Sequence, residues 1–279
     1  MKILVTGAQG QLGKEIARRG SEHEFILAGR DMLDITQESD VQILFRQAKP
    51  EVVIHCAAYT NVDGAEADPD GAFKVNVIGS QNMAAACLET GARLIYVSTD
   101  YVFDGAANKP YREFDPVNPQ SVYGTTKWQG EELVRQILGR HYILRTAWLY
   151  GDGNNFVRTM LRLADEQPFL KVVHDQIGSP TSTVDLARAI FKLLQSDAYG
   201  TYHATCQGQC SWYDFAKEIF QQAGKNVDVC PITTAEFPRP AKRPAHSVLD
   251  NYMLRMTVGD PMRMWQEALQ DYLALNKVN

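Results

Sequence analysis

The chain has no apolar run approaching the roughly 18 residues that a membrane-spanning helix requires. It has no excess of basic residues either. Its 28 Lys and Arg against 33 Asp and Glu leave a net charge of −5, without the basic footprint of a nucleic-acid binder. Cysteine is scarce: Cys56, Cys87, Cys206, Cys210 and Cys230 are odd in number and unevenly spread. That usage argues against a disulfide framework and for reduced thiols in a cytoplasmic protein. The stretch from Met1 to Gly7 meets a glycine too early for the core of a signal peptide. Internal repeats and low-complexity tracts are missing too. What is present is an ordinary globular composition, 45% hydrophobic and 22% charged over 279 residues. That length suits one large or two interlocked domains with a substantial core.

The first 145 residues alternate strand and helix signals. Lys2–Thr6, Phe25–Ala28, Val52–Cys56, Arg93–Ser98 and Tyr142–Leu144 are short, strongly apolar or β-rich runs. Helical periodicity falls between them at Gln11–Arg19, after the capping-box spacing of Ser39–Gln42, at Ala72–Glu89 and at Tyr123–Leu138. Such alternation with apolar strands predicts an α/β fold, a Rossmann-type doubly wound parallel sheet with helices on both faces. After Trp148 the rhythm loosens. Phe156–Asp165 and Val184–Gln195 read as helices, Ser211 caps another through Phe220, and a proline-dense stretch precedes a final helix near Met262–Leu275. The expected division is a dinucleotide-binding domain over 1–145, joined by about 180–198. A smaller, discontinuous substrate-binding lobe then takes 146–179 and 199–279.

Three motifs carry chemistry. Gly7, Gly10 and Gly13 form a GxxGxxG loop between the first strand and the first helix. Glycines there permit a tight turn, close approach of a pyrophosphate and close helix–strand packing, with the positive helix end facing the phosphates. Tyr123 and Lys127 stand four residues apart, on one face of a helix. A phenol titrates near about 10, and an adjacent ammonium is expected to lower that value toward neutrality. Finally, Ser98-Thr99-Asp100 emerges at the carboxyl end of the fourth strand, where ligands bind in open α/β sheets. A Thr99 hydroxyl there can donate to a substrate carbonyl oxygen.

The glycine spacing, followed by the Ser-Thr-Asp turn and YxxxK, resembles the extended short-chain dehydrogenase/reductase superfamily. More narrowly, the segments Ser98–Gly105, Tyr123–Lys127, Arg145–Gly151, Asp175–Thr181 and Arg243–Leu249 resemble the dTDP-4-dehydrorhamnose reductase family along essentially the whole chain. That resemblance implies NAD(P)H-dependent reduction of the C4 ketone of a dTDP-4-dehydro-β-L-rhamnose substrate. Residue by residue, it implies Tyr123 as proton donor, Lys127 as its partner and Thr99 as the carbonyl donor. Asp100 and Trp148, with Thr99 and Tyr123, match substrate-contacting positions. Gly7, Gly10, Gln11, Leu12 and Gly13 match the cofactor loop. Ala57, Ala58, Tyr59 and Val97 match its ribose and nicotinamide side, and Asp34 and Ile35 the adenine side.

Several residues keep two readings. Arg30 favours a 2′-phosphate and its neighbour Asp31 a free ribose; the family leans to NADPH, with NADH as the other choice. Trp148 is either a flat wall for a deoxysugar or a core residue. Arg239, Lys242 and Arg243 either meet a diphosphate or are solvated. Glu15 and Asp185 approximate acids that hold an interface cation in some relatives, but no metal is expected, and the chain is read as a monomer or homodimer. Cys206 and Cys210 read as ordinary thiols and His55 as structural or cofactor-side. The competing functions are a nucleotide-sugar epimerase or dehydratase of the same superfamily, or a non-catalytic cofactor-binding regulatory subunit. The Asp-Glu pair that a dehydratase typically adds beside Thr99 is missing from Thr99-Asp100-Tyr101.

Overall fold

Residues 1–275 are described by a computed structural model, so the last four residues of the expected second lobe lie outside the described residues. Five strands follow the expected order: β1 (Lys2–Thr6), β2 (Glu24–Ala28), β3 (Val52–His55), β4 (Arg93–Thr99) and β5 (His141–Thr146). A sixth, Gly200–His203, completes one sheet with the order β2, β1, β3, β4, β5, sixth strand. Every pairing is parallel. Alternate residues of each strand enter separate cores on the two faces, so the strands are apolar throughout. One face buries Leu4, Val53, Leu94 and Ile143 under Val41, Phe45, Met83 and Val134. The other buries Ile3, Val5, Ile54 and Leu144 under Leu12, Ile16, Leu186 and Ile190, and continues into the second lobe through Tyr150, Phe215 and Trp265.

The sheet differs from the expected division at one point. The expected division puts residues 199–279 wholly in the second lobe, yet Gly200–His203 pairs with β5, Tyr202 opposite Leu144. A four-residue strand offers too short a run for its period to be read, and only Tyr202 and His203 in it are fully buried. The preceding helix, Thr183–Leu194, packs on Gln11–Arg19 beneath the sheet. The remaining lobe is built from short pairs. Phe169–Val173 runs parallel to Asp228–Ile232, Ile177–Gly178 antiparallel to Cys210–Ser211, and Leu149–Tyr150 parallel to Thr181–Ser182. Helices Phe156–Glu166, Trp212–Ala223 and Trp265–Leu275 fill it. No helix among the described residues is long and apolar enough to cross a membrane.

Two local features position the site. The chain leaves β1 for β2 on one side and returns to β3 on the other, so a crevice opens between the carboxyl ends of β1 and β3. Gly7 enters it with φ +64°, and a Cβ there would lie 2.7 Å from the Ala57 backbone nitrogen. The helix expected at Ala72–Glu89 is interrupted by a π-helical turn, Lys74–Ile78, which turns Asn76 inward.

Candidate active site

The glycine loop delivers the chain to the Gln11–Arg19 helix with Gly10 as N-cap and no side chain closing the first turn. The first backbone N–H groups of a helix lack intrahelical partners, so this end is ready for an anion. Beside it, Thr6 Oγ1 accepts from Ala57 N–H at 3.3 Å and lies 2.6 Å from His55 Nδ1. Burial, then the charge of Lys127, pushes His55 down to about 3. It is a neutral strut between β1 and β3, not a base.

Tyr123 and Lys127 are set by the Val122–Ile137 helix, whose start Ser121 fixes by accepting from Gly124 N–H at 3.1 Å. Lys127 is 2% exposed. Its Nζ donates to the Val97 carbonyl at 2.7 Å and lies 4.0 Å from the Tyr96 ring centroid. Burial pushes Lys127 down to about 7, against the opposing charge of Glu131. Tyr123 behaves differently from the expectation. Burial raises the phenol well above its ordinary value, opposed by a hydrogen bond with Thr99, while Asp100 and Tyr101 add to the rise. The ammonium is spent on the β4 backbone, and the phenol remains protonated.

At the end of β4, Thr99 Oγ1 donates to Asp100 Oδ1 at 3.0 Å. Burial brings Asp100 up to about 6, with Ser247 and Thr99 opposing by hydrogen bonding. Tyr101 stands edge-on to Tyr123, centroids 5.4 Å apart, and accepts from Arg243 Nη1 at 3.0 Å. Arg243 Nη2 is 2.8 Å from Asp63 Oδ2, which also has Arg239 Nη1 at 4.0 Å.

One crevice of about 630 Å³ gathers Gly7, Gly10, Gln11, Leu12, Gly13, Ala57, Ala58, Val97, Thr99, Asp100, Tyr123, Lys127 and Trp148. Tyr101 forms part of its wall and also borders a second cavity of about 790 Å³ in the smaller lobe. Phe156, Met160, Leu170 and Trp212 supply apolar walls there, and Arg239 and Arg243 cations. Lys242 instead donates to Gln120 on the surface.

Four expected cofactor residues are not in the crevice wall. Arg30 is exposed beyond β2. Asp34 closes a local turn by accepting from Thr36 N–H and Oγ1 at 3.0 and 2.8 Å. Ile35 is a core residue, because the turn buries its side chain in the cluster of Val41, Phe45 and Met83. Tyr59 is tied through its N–H to Asn76 Oδ1 at 2.8 Å. The carboxylate of Glu15 is bound by Arg18 and Arg19, and that of Asp185 by Arg263 and Arg188. Cys206 and Cys210 are buried free thiols, both pushed up by burial.

Sequence reasoning passed over Glu131, Asn76, Asp63 and Trp212. Glu131 alone had a legible signal, continuing the four-residue spacing from Tyr123 and Lys127 on one helix face. It is fully buried and grips Arg145 at 2.7 Å and Ser98 Oγ at 2.5 Å.

The family model described as RmlD substrate binding domain matches residues 1–278. A dTDP-4-dehydrorhamnose reductase of Aggregatibacter actinomycetemcomitans is 41% identical over 289 residues, spanning 98% of each chain. The crystal structure of a dTDP-4-dehydrorhamnose reductase from Clostridium acetobutylicum matches with a TM-score of 0.98 at 55% identity over 100% of both chains. That of the Bacillus anthracis dTDP-4-dehydrorhamnose reductase, in complex with NADP, matches at 0.97 and 43% identity over 99% of both.

Proposed function

The chain belongs to the RmlD substrate-binding domain family, and from that membership we propose that it reduces the C4 ketone of dTDP-4-dehydro-β-L-rhamnose to dTDP-L-rhamnose with NADPH. The carrying observation is that Thr99, Tyr123 and Lys127 share one crevice with the glycine loop. A dinucleotide fits the loop: Gly7 lies too close to Ala57 for a side chain, and the helix behind Gly10 has no side-chain cap. Gly7, Gly10, Gln11, Leu12 and Gly13 would hold the pyrophosphate, with Ala57, Ala58, Val97 and Lys127 toward the nicotinamide ribose. When bound, the dihydronicotinamide supplies the hydride.

The chain's own residues do the rest. Tyr123 donates toward the ketone oxygen, where negative charge develops as the carbonyl is reduced, and Thr99 joins it by turning its single O–H from Asp100 Oδ1. Tyr123 then surrenders its proton to that oxygen. Burial keeps the phenol protonated in the free protein, so the proton is present to be given when the oxyanion forms. Lys127 orients the ribose and, when cationic, stabilises the phenolate left behind. Asp100 accepts from a sugar hydroxyl, and Trp148 offers an apolar wall to the deoxysugar methyl group. The second cavity takes the nucleotide half: Arg239 and Arg243 face the diphosphate and Phe156, Met160, Leu170 and Trp212 the base and sugar.

The test is consumption of NADPH, and separately of NADH, with dTDP-4-dehydro-L-rhamnose, with the product sugar identified. Tyr123→Phe is expected to lower kcat by about 10²–10⁴-fold, the usual worth of a positioned general acid. Turnover unchanged by that substitution removes the donor assignment. Tightly retained NAD with no net cofactor consumption points instead to an epimerase.

A further inference from the structure

Trp148 has φ +47°, and Lys49 is the only other non-glycine residue with positive φ among those described. Lys49 sits at a helix C-cap, where the left-handed conformation is common. Trp148 has no such excuse: it lies between β5 and the strand Leu149–Tyr150. A bulky residue persists there only when its surroundings over-determine it.

Two contacts do so. The indole lies against Gly178, where a Cβ would be 2.4 Å from Trp148 Cε2, so any larger residue would displace the ring. The indole is also stacked on Trp212, ring centroids 3.5 Å apart and planes inclined by 7°. The two supports are themselves joined, because Gly178 pairs with Cys210 and Ile177 with Ser211, the N-cap of the helix that Trp212 begins. Ser211 and Asp214 close that helix start with a reciprocal capping box. Trp212 is therefore carried on a fixed backbone.

The stacked pair also joins two spaces. Trp148 lines the crevice of Thr99, Tyr123 and Lys127, whereas Trp212 lines the adjoining cavity and contacts Phe156 there, centroids 4.6 Å apart. Binding energy from a remote part of a substrate can be used to orient the reacting part, provided something rigid connects them.

We propose that Trp212 is a positioning residue that, with the nucleotide half of the substrate seated beside it, fixes the Trp148 indole as the wall for the reacting sugar. The assignment of the two halves to the two spaces rests on the function proposed above. Trp212 touches no reacting atom, and its effect on the chemistry passes through Trp148.

The experiment uses the full chain and Trp212→Ala, Trp212→Leu and Trp212→Phe. Stacked indoles in contact couple as excitons, with a circular-dichroism couplet whose amplitude follows the twist between their transition dipoles, and saturating dTDP alone is expected to change that amplitude in the unsubstituted protein. With saturating NADPH and the keto-sugar, the Ala and Leu variants are expected to lose about tenfold in kcat, while Phe, which keeps a flat ring, stays within about threefold. The KM for NADPH is expected to hold in all three. A couplet indifferent to dTDP, an Ala variant with full kcat, or a Phe variant as impaired as Leu would each overturn the proposal. Unsubstituted protein that consumes no NADPH defeats the functional reading instead. The dTDP response of the couplet then still decides whether the two spaces are coupled.

Discussion

Lys127 Nζ donates to the Val97 carbonyl at 2.7 Å, so the ammonium is held by the backbone of β4. The phenol of Tyr123, one helical turn earlier, is governed by burial, Thr99, Asp100 and Tyr101. The pair does not pre-ionise the tyrosine. It separates the duties, a protonated acid beside a cation of adjustable charge.

A pH dependence follows from that separation. Burial disfavours the charged form of Lys127 and pushes it down to about 7. It is cationic below that value and neutral above it, whereas Tyr123 keeps its proton throughout. The kcat/KM for NADPH, which reports the free enzyme, is therefore expected to fall as pH rises through about 7. Lys127→Arg, cationic across the range, should lose this limb, and Lys127→Met should be slow by about 10²-fold or more and equally flat above about pH 7. A level profile for the unsubstituted protein between about pH 6 and 9 contradicts the assignment.

Glu131 and Arg145 supply a stability prediction. Burial pushes the Glu131 carboxyl up, but the charge and hydrogen bonds of Arg145, with Arg135 and Ser98, outweigh it and leave it below its ordinary value. Arg145 is 2% exposed and Glu131 fully buried, so losing Arg145 leaves the carboxylate out of water with only Arg135 and Ser98 to balance it. Arg145→Met is expected to cost about 3–5 kcal/mol, visible in urea unfolding and as a Tm lower by roughly 10 °C. Adding Glu131→Gln should recover part of that loss, since the stranded carboxylate is then gone. A double variant no more stable than the single one means the damage is packing rather than charge.

The core strands and the glycine loop were legible because each is a local pattern with one physical reading. Val52–Ile54 can only be a buried strand, and Gly7 after β1 marks the close approach to Ala57. Ser39 misled: the helix begins two residues earlier than a Ser39 cap would set it, Gln37 is its N-cap, and the Ser39 hydroxyl turns to Asp40 at 3.3 Å. Capping spacing fits several neighbouring starts, and burial of Val41 and Phe45 decides among them. Asn76 was invisible because a π turn adds a residue to a helical period without changing its composition. Trp212 and Asp63 act only across long sequence separations, on Trp148 and Arg243, and nothing in their own neighbourhoods announces those partners.

Arg30 and Asp31 favour opposite cofactors, and geometry separates them. Asp31 Oδ1 accepts from Gln9 Nε2 at 3.1 Å, tethering the carboxylate to the glycine loop, while Arg30 remains exposed beyond β2. An acid engaged by an amide is less available to a ribose hydroxyl, whereas a guanidinium in the open can meet a 2′-phosphate with charge-assisted hydrogen bonds. NADPH is therefore expected to be preferred, and Arg30→Ala to raise its KM on the order of tenfold or more, since such contacts contribute about 1.5–3 kcal/mol. The KM for NADH should barely move. Gln9→Ala releases the acid and is expected to shift preference toward NADH without touching Arg30. Steady-state kinetics with both cofactors decides the matter: equal losses for NADH and NADPH in Arg30→Ala mean that Arg30 supports the loop rather than reading the phosphate.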